Sequence, residues 1–153
     1  MDTEQDDVEQ LVELSRLLVT VAYRSLGVAD SQVSLPQFRA LVTIARIGPC
    51  NAGSLATQLG LHNSSVTRLC DKLVAAGLLT REVKEGNRRE VELALTAAGG
   101  QVVDSVLSRR AAEVSRMLER LSPAVRARLG RVLPSLLGAA AEVVTAPHSA
   151  WAI

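Results

Sequence analysis

The sequence predicts a mainly α-helical chain carrying one small β-hairpin. Hydrophobic residues make up 48% of it and aromatics only 2%, so the core must come from Leu, Val and Ala, which suits helices packed on helices. Apolar residues recur at helical spacing over most of the length, and only from Leu79 to Leu95 does the period fall to two. At 153 residues the chain is about the length of one domain and can bury roughly two-thirds of its unfolded surface.

The first helix is read over residues 8–26, with apolar positions at Val8, Leu11, Val12, Leu18, Val19, Ala22 and Leu26. Leu14, Leu17 and Val21 add a second stripe. A helix apolar on two sides needs two partners, one of which can be another subunit. Ser34 followed by Gln37, with Pro36 in the first turn, predicts a capping box opening a helix from Leu35 to about Ile47, which Gly48 and Pro49 stop. Asn51 caps a short helix over residues 52–59 ended by Gly60, and another helix runs from about Asn63 to Ala76 before Gly77.

From Leu79 the alternation Leu79, Arg81, Val83 and later Val91, Leu93, Leu95 predicts a hairpin with its tip at Lys84 to Arg89, around Gly86 and Asn87. Thr96 caps a long helix to about Leu121. Ser122 before Pro123 then opens a last helix to about Val144, with a kink expected at Pro134. The tail after Pro147 is expected to be loosely ordered.

Joining two helices through a tight glycine turn requires a close-packing alanine, the turn glycine and apolar anchors at set offsets. Leu55, Ala56, Leu59, Gly60, Leu61, Val66 and Leu69 supply them, which predicts a helix-turn-helix at residues 52–76 with the hairpin as a wing behind it. On the second helix Val66, Leu69, Cys70 and Leu73 share one face, while Ser64, Ser65, Arg68, Asp71 and Lys72 share the other and Thr67 lies at the border. Those outward groups suit base edges and phosphates in a major groove. Arg68 is the candidate guanine contact, Lys72 adds positive charge, and Asn63, Ser64, Ser65 and Thr67 position the helix near its amino end. Arg88 and Arg89 at the hairpin tip suit an electronegative minor groove.

The net charge of +1 hides a division that supports this. Six acids and no base occupy the first thirteen residues, whereas between Asn63 and Arg89 six bases outnumber three acids. No stretch reaches the ~20 apolar residues needed to cross a bilayer. The amino terminus has the wrong sign for a secretory signal, so a cytoplasmic location is expected. Cys50 and Cys70 show neither metal-ligand spacing nor a disulfide framework, so neither a metal nor a cofactor is expected.

Across residues 35–100 the chain resembles the MarR family of bacterial transcription regulators. The matching runs are Leu35 to Leu41, Leu55 to Leu61, Ser64 to Leu69 with Leu73, Gly77 to Leu79, Asn87 to Arg89 and Leu95 to Gly99. The resemblance implies a winged helix-turn-helix at residues 34–96. It also implies dimerisation through an amino-terminal helix at 1–33 and carboxy-terminal helices at 97–145, with 146–153 as a tail. It implies a homodimer on a pseudo-palindromic double-stranded DNA operator, acting as a repressor released by a small apolar or aromatic effector. Ser64, Ser65, Thr67 and Arg68 would contact DNA from the helix and Arg89 from the wing. The family commonly has aspartate where this chain has Asn87, which can hydrogen-bond the wing but forms no ion pair. His62 stands where a small capping residue is expected, which would shift the cap to Asn63. A ligand pocket is expected between the dimerisation helices and the winged helix, near Tyr23, Phe38 and Arg39.

Three other classes compete with this reading. In a thiol redox-sensing regulator Cys70, on the apolar face, would be an inert core thiol and Cys50, beside a loop, the more accessible one. A helical protein-interaction module would use the arginines of the last two helices. An enzyme is disfavoured because neither His62 nor His148 stands in a catalytic or metal-binding pattern.

Overall fold

The computed structural model describes residues 2–27, 33–83 and 91–145. Six helices and a hairpin follow in order: α1 (Asp2–Gly27), α2 (Leu35–Ile47), α3 (Ala52–Leu59), α4 (Asn63–Ala75), β1 (Leu79–Val83), β2 (Val91–Leu95), α5 (Ala97–Glu119) and α6 (Pro123–Thr145). The chain forms two compact units, Met1–Ala111 and Ala112–Ile153.

In the first unit local signals set the element ends. Ser34 and Gln37 make the reciprocal capping box at the start of α2, with Ser34 N donating to Gln37 Oε1 at 2.8 Å. Asn51 Oδ1 accepts from Ser54 N at 2.8 Å and opens α3. Gly60 ends α3 at φ 65°, a left-handed conformation in which a Cβ would crowd the following carbonyl. That turn delivers α4 against α3, and Leu61 N closes it on Ala56 O at 3.0 Å.

The core is aliphatic, as the composition requires. Leu41 and Ile44 of α2, Leu55 of α3, Val66, Cys70 and Leu73 of α4, Leu93 of β2 and Val106 of α5 are its largest fully buried side chains. β1 and β2 pair antiparallel from Leu79 opposite Leu95 to Val83 opposite Val91. A third backbone segment joins them: Cys50 N donates to Leu93 O at 3.0 Å and Leu93 N to Cys50 O at 2.8 Å. This pairing ties the loop before α3 to the base of the hairpin, and no local pattern in the sequence signals it. Thr96 opens α5 as expected, its Oγ1 accepting from Gly99 N at 2.9 Å while donating to Gly77 O at 2.8 Å.

Helix α1 is mostly exposed. Only its end is buried, at Ser25 and Leu26, while Val8, Leu11, Val12, Leu17, Leu18 and Val19 face solvent. The helix also starts earlier than the apolar spacing implies, because residues before Val8 are polar but helix-compatible and continue the same turns.

The second unit comprises the end of α5 and α6. Ser122 caps α6, its Oγ accepting from Val125 N at 3.3 Å. The helix continues through Pro134, and Val132, Leu136, Leu137 and Val143 are exposed. Among the described residues no helix is long and apolar enough to cross a membrane.

Candidate nucleic-acid interface

Helix α4 is seated by Val66, Cys70 and Leu73, all fully buried, with Leu69 partly buried beside them. At 3.6 residues per turn this seat forces the intervening positions outward. Asn63, Ser64, Ser65, Thr67, Arg68, Asp71 and Lys72 are all exposed. Six of these seven are the predicted helix contacts; Asp71 is the acid among them.

The amino end of α4 differs from one sequence expectation. The cap is His62, not Asn63, and the His62 side chain makes no capping bond. Its carbonyl accepts instead, from Ser65 N at 3.0 Å and Val66 N at 3.1 Å. The chain leaves the Gly60 turn through Leu61 and already needs an extended residue at His62, so Asn63 becomes the first helical position. Among the described residues no side chain caps the first amides of α4, those of Asn63 and Ser64, which suits them to an outside anion. Thr67 is also modified in its capacity: its hydroxyl donates to Asn63 O at 2.9 Å, leaving it as an acceptor.

Ser65, Arg68, Leu69 and Lys72 share a hollow of about 300 Å³ with Ser34, Pro36 and Gln37. The start of α2 thus stands beside the outward face of α4. Their spacing marks Ser34 and Gln37 only as a cap, and nothing local in the sequence places them next to Arg68.

Asp71 is offset by a partner on the hairpin. Arg81 Nη1 of β1 lies 2.9 Å from Asp71 Oδ1, with the two side chains 38% and 53% exposed. The pair fastens the hairpin to α4 and cancels the negative charge on the outward face. Arg88 and Arg89, the predicted wing contacts, lie outside the described residues, as does Asn87.

The three ligand candidates do not come together. Tyr23 lines a hollow of about 470 Å³ with Leu26, Val33, Leu35 and Pro36. Phe38 and Arg39 line another, of about 310 Å³, with Leu35, Val42, Leu59, Leu107 and Arg110 among its walls. Phe38 is itself a core residue, 2% exposed, and the Arg110 guanidinium stacks over its ring at 5.4 Å.

Neither cysteine is poised as a thiolate. Burial pushes the Cys70 thiol up to about 11, with nearby Arg81 only partly opposing it. Burial, then the Glu92 carboxylate, also raises Cys50.

Comparison with known proteins agrees with this architecture. The model of the MarR family matches residues 33–91. The solved structure of RV1404 from Mycobacterium tuberculosis is 36% identical with a TM-score of 0.82, covering 92% of this chain and 96% of that one. PecS of Dickeya dadantii, an HTH-type transcriptional regulator, is 32% identical over 108 residues, or 66% of this chain and 65% of PecS. YfiV of Bacillus subtilis, an uncharacterised HTH-type transcriptional regulator, is 29% identical over 91 residues, and the match spans 60% of this chain and 57% of YfiV. A helix-turn-helix on an aliphatic seat, a hairpin bound to its second helix, and these likenesses together place the chain in the MarR family.

Proposed function

We propose that the protein is a sequence-specific regulator of transcription that binds double-stranded DNA as a homodimer. The observation that carries this reading is the outward face of α4. Its buried seat of Val66, Cys70 and Leu73 fixes which side chains point away, and these include Ser64, Ser65, Arg68 and Lys72. A rigid helix with a guanidinium, an ammonium and hydroxyls on one exposed face fits a major groove. Arg68 reads guanine, Lys72 and the serines hold phosphates, and Asn63 and Thr67 orient the amino end. Arg88 and Arg89 extend the contact from the hairpin toward the minor groove.

The dimer is supported by apolar side chains left exposed on α1 and α6, among them Leu11 and Leu17, and Leu137 and Val143. Residues 34–96 form the reading domain in this proposal, with residues 1–33 and 97–145 joining the two copies. Two reading heads then face one side of the duplex and select a pseudo-palindrome with half-sites about 10 base pairs apart. The protein acts as a repressor, and a small apolar or aromatic effector releases it by entering the hollow floored by Leu35, Phe38, Val42 and Leu107.

Selection of bound sequences from genomic fragments, followed by footprinting, tests the reading. Protection of two symmetric half-sites is expected, with affinity falling steeply with log salt. A single asymmetric site filled by a monomer, or binding indifferent to sequence, would overturn it.

A further inference from the structure

The pocket beside Phe38 gathers positive charge. Arg39, Arg46 and Arg110 line it, and among the described residues no acid does. Arg39 and Arg46 reach solvent, and Arg46 donates to Gln58 Oε1 at 3.4 Å. Arg110 is more constrained. Its Nε and Nη2 are shut off from solvent and have no hydrogen-bond partner among the described residues, so its charge is left to be answered across the hollow. Three guanidiniums around one hollow, with Arg39 and Arg46 open to solvent, are the chemistry of a carboxylate site.

The surplus of carboxylates lies at the other end of α1. Asp6, Asp7 and Glu9 are exposed and make no ion pair among the described residues, while Glu13 is held by Arg16 at 3.6 Å. They cannot reach the pocket of their own chain. At 1.5 Å per residue, Asp6 stands about 30 Å along the helix from Leu26, the buried end of α1. Leu26 and Leu35 line one hollow, and Leu35 also lines the arginine pocket. Each chain therefore has its pocket near one end of α1 and its acids at the far end.

A two-fold contact between two copies of α1 brings these ends together, because in an isologous interface residue i meets j and j meets i. Between the acidic turns and the buried end runs the exposed apolar stripe Leu11, Leu14, Leu17 and Leu18, on the side of the helix that also carries Asp6 and Asp7, and such a contact covers it. Arg24 in the last turn of α1 adds positive charge at the receiving end. We propose that Asp6, Asp7 and Glu9 of a second copy close over the pocket formed by Arg39, Arg46 and Arg110, so that each pocket is complete only in the dimer. The inference rests on the homodimer reading and deepens it. The effector hollow and the dimer contact share one rim, so an effector that reaches the arginines must displace the partner's acids.

Sedimentation analysis of the full chain at low salt tests this with charge reversals at exposed positions. The set D6K/D7K/E9K and the set R39E/R46E should each raise the dimer dissociation constant about tenfold, and the chain carrying both sets should return to within about threefold of the parent because the pairs are re-formed in reverse. Circular dichroism of each variant separates loss of pairing from fraying of α1. A dimeric parent whose affinity is unmoved by the acid reversal overturns the inference alone, as does a combined variant whose losses simply add. A parent that is monomeric at every concentration overturns the homodimer reading with it. Benzoate binding that needs Arg39 and Arg46, in a dimer unmoved by the acid reversal, assigns the pocket to a free acid and also overturns the inference.

Discussion

Arg81 on the hairpin and Asp71 on the reading helix meet at 2.9 Å, linking two elements that the proposed DNA contact uses together. Because both side chains are substantially exposed, Arg81→Ala should cost under about 1 kcal/mol of folding stability. Its effect on DNA should be larger, since it leaves an uncompensated carboxylate facing phosphates and loosens the hairpin. Affinity for a selected duplex should fall several-fold and recover partly in Arg81→Ala/Asp71→Asn. Fluorescence anisotropy checks both, and a double variant as weak as the single one would remove charge cancellation from the account.

Arg68 and Lys72 should separate by the kind of contact each makes. Arg68→Ala should lose about 1–3 kcal/mol on the selected site and relax preference at one base position. Lys72→Ala should weaken all duplexes alike and flatten the dependence of log affinity on log salt by about one phosphate. Arg89→Ala is expected to resemble Lys72→Ala. Titrations on matched and mismatched duplexes decide this, and identical profiles for Arg68→Ala and Lys72→Ala would refute the division of labour.

Gly99 allows α5 to start against the backbone that follows α4. A Cβ there would run into the Leu78 carbonyl oxygen and meet Leu95 Cδ2 at 2.9 Å. Backbone cannot yield as a side-chain end can, so Gly99→Ala should destabilise by about 3 kcal/mol. Urea unfolding measures this, with Gly100→Ala as the control because its Cβ would meet nothing within 4 Å. Equal midpoints for the two variants would show that α5 shifts freely.

The thiols should be sluggish. Cys70 should resist a thiol reagent at neutral pH in the folded protein, since burial raises it toward about 11. Cys50, also raised, should react more slowly than free cysteine. The sign of the linkage follows: the neutral Cys70 thiol favours the fold fully below the ordinary value of 9.0, and that contribution is lost as pH rises toward about 11. Rapid modification of Cys70 at pH 7 without unfolding would contradict the burial argument and revive a redox role.

What sequence alone determined here was local. The Ser34–Gln37 box, the Asn51 cap, the Gly60 turn and the alternation from Leu79 each depend on residues a few positions apart, so their spacing expresses the physics directly. The seat of α4 was legible for the same reason, because Val66, Cys70 and Leu73 share a face by periodicity. Tertiary structure alone decided the rest. Cys50 pairs with Leu93 across forty-odd residues, Arg81 finds Asp71, Arg110 stacks on Phe38, and Gly99 lies under Leu78. Even the cap of α4 belongs with these, since the Gly60 turn and the packing of α4 on α3, not the capping preference of Asn63, determine where that helix begins. Such contacts join segments whose separation along the chain carries no period, so only the packed fold, in which one arrangement fills the core, brings them together.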